Sequence, residues 1–304
     1  MAKTELVVAD SSAEYSGLVI ASYGSRGILA DQNNITHRYI LKGRKLRVVC
    51  GDHVFWKPAE GSAAVIVIGV QERSNVLERP DSRGKTELIA ANLSQIIVVL
   101  APVPVPDFFL ADRYLCAAEI LGAKAIINWN KTDLADAQPE EITEYQALGY
   151  RVCPTSTKSG AGTELLESFL AEGVSMLVGQ SGVGKSSLIN RLIPDADVTV
   201  AALSTANREG RHTTTASFMH TLSNGGKLID SPGVREFAPV IRDPGKIQNG
   251  FTEILQLADA CRFTNCQHLR EPDCAVKQGI DSGKISRRRY ESYKRLCNTT
   301  TALN

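Results

Sequence analysis

Two short segments constrain this chain more than any other feature, through the order in which they occur. Gly179-Gln180-Ser181-Gly182-Val183-Gly184-Lys185-Ser186 has the G-x-x-x-x-G-K-S spacing and follows the apolar run Ser175-Met176-Leu177-Val178. A buried strand, a glycine-rich turn and a helix opening at Ser187 are what a phosphate-binding loop requires. The glycines let successive backbone N–H groups face one anion at the positive end of the helix dipole. Lys185 would then reach the terminal phosphates, and the Ser186 hydroxyl would ligate Mg²⁺. Asn130-Lys131-Thr132-Asp133, which follows the strand-like run from Lys124 to Asn128, stands upstream of that loop.

A carboxylate at Asp133 can accept from both guanine N1–H and the exocyclic amine, and adenine offers neither. A site built around such donors rejects the wrong base because its acceptor would be left unpaired. Thr155-Ser156, after the strand at Val152-Cys153, makes a second base-side loop whose backbone N–H suits guanine O6. Further on, Asp230-Ser231-Pro232-Gly233 puts a carboxylate at a strand end and a glycine three residues later. Asp230 would hold Mg²⁺ through water, and the Gly233 N–H would meet the γ-phosphate. An ordinary GTPase has its phosphate loop first and its base reader later. The reversed order predicts a circularly permuted G domain. From Leu88 onward, apolar strands such as 95–100 alternate with helices near 109–121, 139–148 and 163–170, which predicts a mostly parallel sheet covered by helices. Residues 216–229 read as a hairpin.

Between Ser187 and Asp230 lies the polar loop Arg208 to Thr215. One of Thr213, Thr214 and Thr215 is expected to supply a second Mg²⁺ ligand; the residues do not say which, and Thr214 is the candidate. The position after the Asp-x-x-Gly segment is Val234, where many GTPases have a glutamine that orients water. His212, in the same polar loop, is the candidate for that task.

The flanks differ from the centre. Residues 15–80 alternate short β-rich runs with turn residues, including Gly17 to Ile20, Leu46 to Cys50, Asp52 to Trp56 and Ala63 to Ile68. Five such strands fit an OB-fold barrel, a frequent nucleic-acid binder. Lys and Arg exceed Asp and Glu by three in residues 1–85 and by five in 261–304, whereas the middle has an acidic excess of seven. Basic ends around an acidic centre suggest that the ends meet a polyanion. No apolar stretch approaches the roughly 20 residues that span a bilayer, and the run Leu6 to Ala9 is too short for a secretory signal. A cytoplasmic protein is expected.

Seven cysteines occur, and four ligand-type residues, Cys261, Cys266, His268 and Cys274, fall close together. Three thiolates and one imidazole make a closed tetrahedral Zn²⁺ site, structural because no position is left for substrate. Cys50, Cys116 and Cys153 sit in apolar runs and read as buried thiols, and Cys297 reads as a helix residue. Beyond the cluster, Lys284, Arg287, Arg288, Arg289, Lys294 and Arg295 surround Tyr290, Tyr293 and Leu296, a helix with an apolar stripe and a basic face. With the basic stretch from Arg38 to Arg47, that face is expected to meet RNA phosphates.

The permuted order, GQSGVGKSS at 179–187, RHTTT at 211–215, DSPGVREF at 230–237 and the cysteine/histidine cluster together resemble the RsgA (YjeQ) family of bacterial small-subunit assembly GTPases. The resemblance spans essentially the whole chain. It implies an OB-fold domain over 1–85, a permuted GTPase domain over 86–245 and a zinc domain with a basic helix over 246–304. It also implies GTP hydrolysis, binding to the 30S subunit and its 16S rRNA, and stimulation by the ribosome. A ribosomal element then rivals His212 as the group that positions water. The protein is expected to act as a monomer. The alternative is an rRNA-binding assembly module that binds GTP without significant turnover; intact Lys185, Ser186 and Asp230 argue against it.

Overall fold

The computed structural model describes residues 15–43, 45–59, 61–80, 85–135, 137–193, 217–231, 239–241 and 243–302. They fall into two compact units, one drawn from Met1–Ser94, Glu167–Leu177 and Ser186–Arg235, the other from Gln95–Leu166, Val178–Lys185 and Glu236–Asn304.

In the first unit, β1 (Tyr15–Tyr23), β2 (Arg26–Asp31), β3 (Thr36–Leu41), β4 (His53–Pro58) and β5 (Val65–Val70) run in the order β1-β2-β3-β5-β4. β4 pairs back on β1, which closes a five-stranded barrel. All pairs are antiparallel except β3–β5. Burial alternates along β5, as a one-sided strand requires. Val19, Leu29, Tyr39, Val54, Trp56, Val65 and Val67 turn inward and pack together as the barrel core. Full burial of a side chain of this kind contributes about 1.5–3 kcal/mol.

The strand expected at 46–50 does not form; among these residues only Cys50 makes a bridge, to Ala90. The buried Asp52 carboxylate accepts from Val49 N at 2.8 Å and from Arg73 Nε at 2.6 Å, tying the segment into a turn. Local side-chain bonds of this sort compete with a strand ladder. Past the barrel, β6 (Val76–Pro80) and β7 (Thr86–Ala91) form a separate hairpin that the residue pattern did not foretell.

The chain then alternates: β8 (Gln95–Leu100), α1 (Phe108–Leu121), β9 (Lys124–Trp129), α2 (Glu140–Ala147), β10 (Arg151–Pro154), α3 (Thr163–Phe169), β11 (Val174–Val178), α4 (Lys185–Leu192), β12 (Ser217–Thr221) and β13 (Lys227–Asp230). Among the described residues a 3₁₀ helix (Pro244–Gly250) and three α-helices follow, α5 (Thr252–Ala258), α6 (Ala275–Asp281) and α7 (Arg287–Ala302). In the second unit β8, β9 and β10 are parallel neighbours, and every residue of β8 is buried. α1 begins with the Asp107 carboxylate accepting from Leu110 N and ends at Gly122 in the left-handed region, φ 67°. In the first unit β11 is parallel to β13, while β12 and β13 form the expected hairpin and β12 also pairs with β1. A core of Phe251, Ile254, Val276, Tyr290, Tyr293 and Leu296 joins α5, α6 and α7.

Candidate nucleotide site and metal centre

The base-side residues and most of the phosphate loop lie in the second unit, at the C-terminal ends of its parallel strands, where open α/β sheets place ligands. A buried polar chain holds them. The Asn128 amide donates to the Cys153 carbonyl at 2.9 Å and to the Thr155 hydroxyl at 3.0 Å; that hydroxyl donates to Asn130 Oδ1 at 3.1 Å. Asn130 Nδ2 in turn donates to the Val183 carbonyl at 2.9 Å, so the base motif grips the phosphate loop directly. Gly184 sits at φ +99°, and a Cβ there would overlap that same Asn130 amide. This glycine is required by close approach as well as by its dihedral.

Lys131, itself at φ 58°, sends Nζ to the carbonyls of Val103 (2.8 Å) and Gly182 (2.5 Å). Thr132 Oγ1 donates to Thr155 O at 3.2 Å and joins the two base-side loops. Asp133 is exposed and takes the hydroxyl of buried Ser156 on Oδ1 at 2.6 Å. That bond, ahead of all other causes, holds the Asp133 carboxyl below its ordinary range. The group stays an anion, and such an acceptor makes the stronger hydrogen bonds to paired N–H donors. Lys185 is buried and donates to the carbonyls of Gly179 (2.7 Å) and Gln180 (2.6 Å) within the loop it closes.

Ser186 and Ser187 continue α4 and belong to the first unit, as does Asp230, which ends β13. His212, Thr214 and Gly233 lie outside the described residues, as does Val234. Asn128 was not foreseen. Its only signal is one polar residue inside the apolar stretch 125–129.

The metal centre fits its expected ion. The ligand atoms of Cys261, Cys266, His268 and Cys274 lie within 4.8 Å of one another. Zn–S bonds of about 2.3 Å and Zn–N bonds of about 2.0–2.1 Å at tetrahedral angles imply edges of about 3.8 Å for S···S and about 3.5 Å for S···N. Cys261 Sγ is 3.8 Å from Cys274 Sγ, and each of these sulfurs is 3.5 Å from His268 Nδ1. The far ring nitrogen, Nε2, lies 3.1 Å from Gln248 Oε1. Donation to that oxygen leaves Nδ1 free as a ligand. Burial lowers the His268 pKa, which favours the neutral imidazole a metal needs.

The connecting loop is held by Glu271. Its carboxylate accepts from the backbone N–H groups of Gln267 (3.0 Å), Leu269 (2.9 Å) and Arg270 (3.0 Å). Burial pushes this acid up, yet the backbone donors outweigh it and bring it to about 2. Cys297 is buried in α7 and takes no part in the cluster.

The basic face expected on α7 is only partly a face. Arg289 is fully buried, with Nε on Glu253 at 2.7 Å and Nη1 on Asp112 at 2.8 Å. Arg288 meets Asp112 at 2.8 Å and Glu144 at 2.6 Å. Periodicity marked these two as basic, but carboxylates from α1, α2 and α5 turn them into internal ties. Arg287, Arg295 and Lys284 remain exposed.

A base reader preceding a phosphate loop on parallel strands, in a chain that also carries a closed barrel and a Cys₃His cluster, defines a circularly permuted P-loop GTPase. The model of the RsgA GTPase family matches residues 70–239. The chain is 40% identical to the small ribosomal subunit biogenesis GTPase RsgA of Chromohalobacter salexigens, over 98% of this chain and 90% of that one. It is 42% identical to the protein of the same name from Ectopseudomonas mendocina, over 94% and 86%. Among solved structures it resembles YjeQ from Thermotoga maritima, with a TM-score of 0.72 at 26% identity over 94% of this chain and 98% of that one. It also shares its fold with YloQ, described as a circularly permuted GTPase, with a TM-score of 0.71 at 24% identity over 97% and 98%. The chain belongs to the RsgA GTPase family and is a GTPase. No helix among the described residues is long and apolar enough to cross a membrane.

Proposed function

We propose that this GTPase binds the small ribosomal subunit, through its 16S rRNA, and hydrolyses GTP to GDP and phosphate late in subunit maturation, with the subunit as activator. The observation that carries the nucleotide half is the bond from Asn130 Nδ2 to Val183 O, which ties an upstream base reader to a downstream phosphate loop. The ribosomal half is supported by the names of relatives about 40% identical along nearly the whole chain.

In this reading Asn130, Lys131, Thr132, Asp133, Thr155 and Ser156 hold guanine. Residues 179–187 hold the phosphates, with Lys185 on the terminal pair. Ser186 and Asp230 hold Mg²⁺, Gly233 senses the γ-phosphate, Thr214 completes the Mg²⁺ shell and His212 orients water. One structural Zn²⁺ sits on Cys261, Cys266, His268 and Cys274. The functional domains are 1–85, 86–245 and 246–304, and the protein works as a cytoplasmic monomer.

Guanine selectivity tests the nucleotide half. Hydrogen bonds to a charged group are worth about 1.5–3 kcal/mol each. Losing two costs about 3–6 kcal/mol, so Asp133→Asn should bind GDP at least about 100-fold more weakly. Displacement of a fluorescent GDP analogue reads this directly. A variant that retained wild-type GDP affinity would remove Asp133 from base recognition.

A further inference from the structure

Arg113 and Arg295 of the second unit make no ion pair with a carboxylate among the described residues, in contrast to Arg288 and Arg289, which share three carboxylates. Arg113, half-buried on α1, has a buried Nε with no hydrogen-bond partner among the described residues. Among the described residues its Nη2 reaches only the Pro239 carbonyl, at 3.5 Å, the outer limit of a hydrogen bond. Arg295, exposed on α7, lies with Cζ 3.9 Å over the ring of Phe109. Phe109 and Arg113 are four apart on α1 and therefore share a face of that helix. The two guanidinium groups stand on the same side of α1, one over the ring and the other half-buried.

The nearby Asp107 makes no ion pair with either of them: its carboxylate caps α1 by accepting from Leu110 N at 2.9 Å, and its charge favours the Arg113 cation only from a distance. Burial lowers the Arg113 pKa, and the charge of Arg295 adds to that. Holding a partly desolvated cation beside a second one is unfavourable until an anion arrives. A stacked guanidinium keeps its N–H edge outward, in the fork geometry that meets two phosphate oxygens at once.

We propose that Arg113 and Arg295 form a clamp for a backbone phosphate of ribosomal RNA; this rests on the small-subunit reading above. Arg295 is open to a large polyanion, and its contact with the Phe109 ring restrains it before binding. The clamp makes Arg113, on α1 of the G domain, part of the RNA-binding surface together with the C-terminal helix. It also separates these four arginines into two kinds: Arg288 and Arg289 hold the fold, and Arg113 and Arg295 wait for a ligand.

The test is binding of full-length protein, loaded with a non-hydrolysable GTP analogue, to 30S subunits and to protein-free 16S rRNA across a salt series. One phosphate contact contributes roughly 0.7–0.9 to the slope of log affinity against log salt. Arg113→Ala/Arg295→Ala should lower that slope by about one on both targets. Arg113→Lys/Arg295→Lys should keep the slope while losing affinity, because the charge remains and the fork does not. Retained GDP binding shows that a variant is folded. Should the double alanine variant fail this check, Arg295→Ala alone, which alters an exposed side chain, must still lower the slope.

Wild-type protein that fails to bind subunits would overturn the small-subunit reading itself. Wild-type binding with an unchanged slope in the folded alanine variants would overturn the clamp alone. A loss seen on subunits but absent on protein-free rRNA would assign the arginines to a ribosomal protein and likewise overturn it.

Discussion

Replacing Arg289 with Met should destabilise the second unit severely. The side chain is fully buried; it bonds Glu253 through Nε at 2.7 Å and Nη2 at 3.1 Å, and Asp112 through Nη1 at 2.8 Å. Its Cζ also lies 4.5 Å over the Phe251 ring. Asp112 keeps two other partners, Arg288 at 2.8 Å and the Tyr145 hydroxyl at 2.6 Å. Glu253, itself buried, loses its bidentate cation. Removing one partner of a buried pair costs about 3–5 kcal/mol, because a charge is left uncompensated. At about 2–4 °C per kcal/mol, that is a fall of roughly 6–20 °C in the melting temperature of this unit. Replacing both partners by apolar groups is close to neutral in such pairs. Arg289→Met/Glu253→Leu should therefore recover most of the loss. Differential scanning calorimetry reads both variants. An Arg289→Met protein within about 1 kcal/mol of wild type, or a double variant no more stable than the single one, would refute this role for Arg289.

The metal centre yields two further expectations. Gln248→Ala should weaken zinc binding by about 10–100-fold, since an outer partner that orients a ligating histidine typically contributes this much. Competition with a chromophoric chelator measures it, and unchanged affinity would show that Gln248 does not orient His268. Glu271 is ionised in the folded protein down to about 2, below the ordinary 4.5. A depressed carboxylate contributes stability that is fully present above 4.5 and is lost as pH falls towards 2. Wild type should thus be more stable to urea than Glu271→Gln at about pH 6, with the gap narrowing by about pH 3. An equal gap at both pH values would contradict this role.

The phosphate loop was legible because its residues are local: glycines at fixed offsets, a lysine and a serine between a strand and a helix. The barrel was legible from short β-rich runs separated by turn residues, as at 63–68, but not at residues 46–50. There a single carboxylate, Asp52, decided the backbone by bonding Val49 N and Arg73. The α7 arginines show a different limit. Helical periodicity gives the direction in which a side chain points and says nothing of what waits there. Asp112 is 176 residues from Arg288 and 177 from Arg289 in sequence, so their pairing is a product of tertiary packing. The cysteine and histidine ligands could be read from their proximity in the chain. Gln248, 20 residues before His268, left no signal, because a glutamine acquires that role only from the 3₁₀ helix (Pro244–Gly250) that presents it.

GTP hydrolysis by the purified full-length protein, followed as phosphate release with and without 30S subunits, would decide between an activated GTPase and a binding-only module. A subunit-activated GTPase should turn over slowly alone and gain about tenfold or more with subunits, equivalent to at least about 1.4 kcal/mol off the barrier. Equal rates with and without subunits, in protein that binds GTP and 30S normally, would contradict that role.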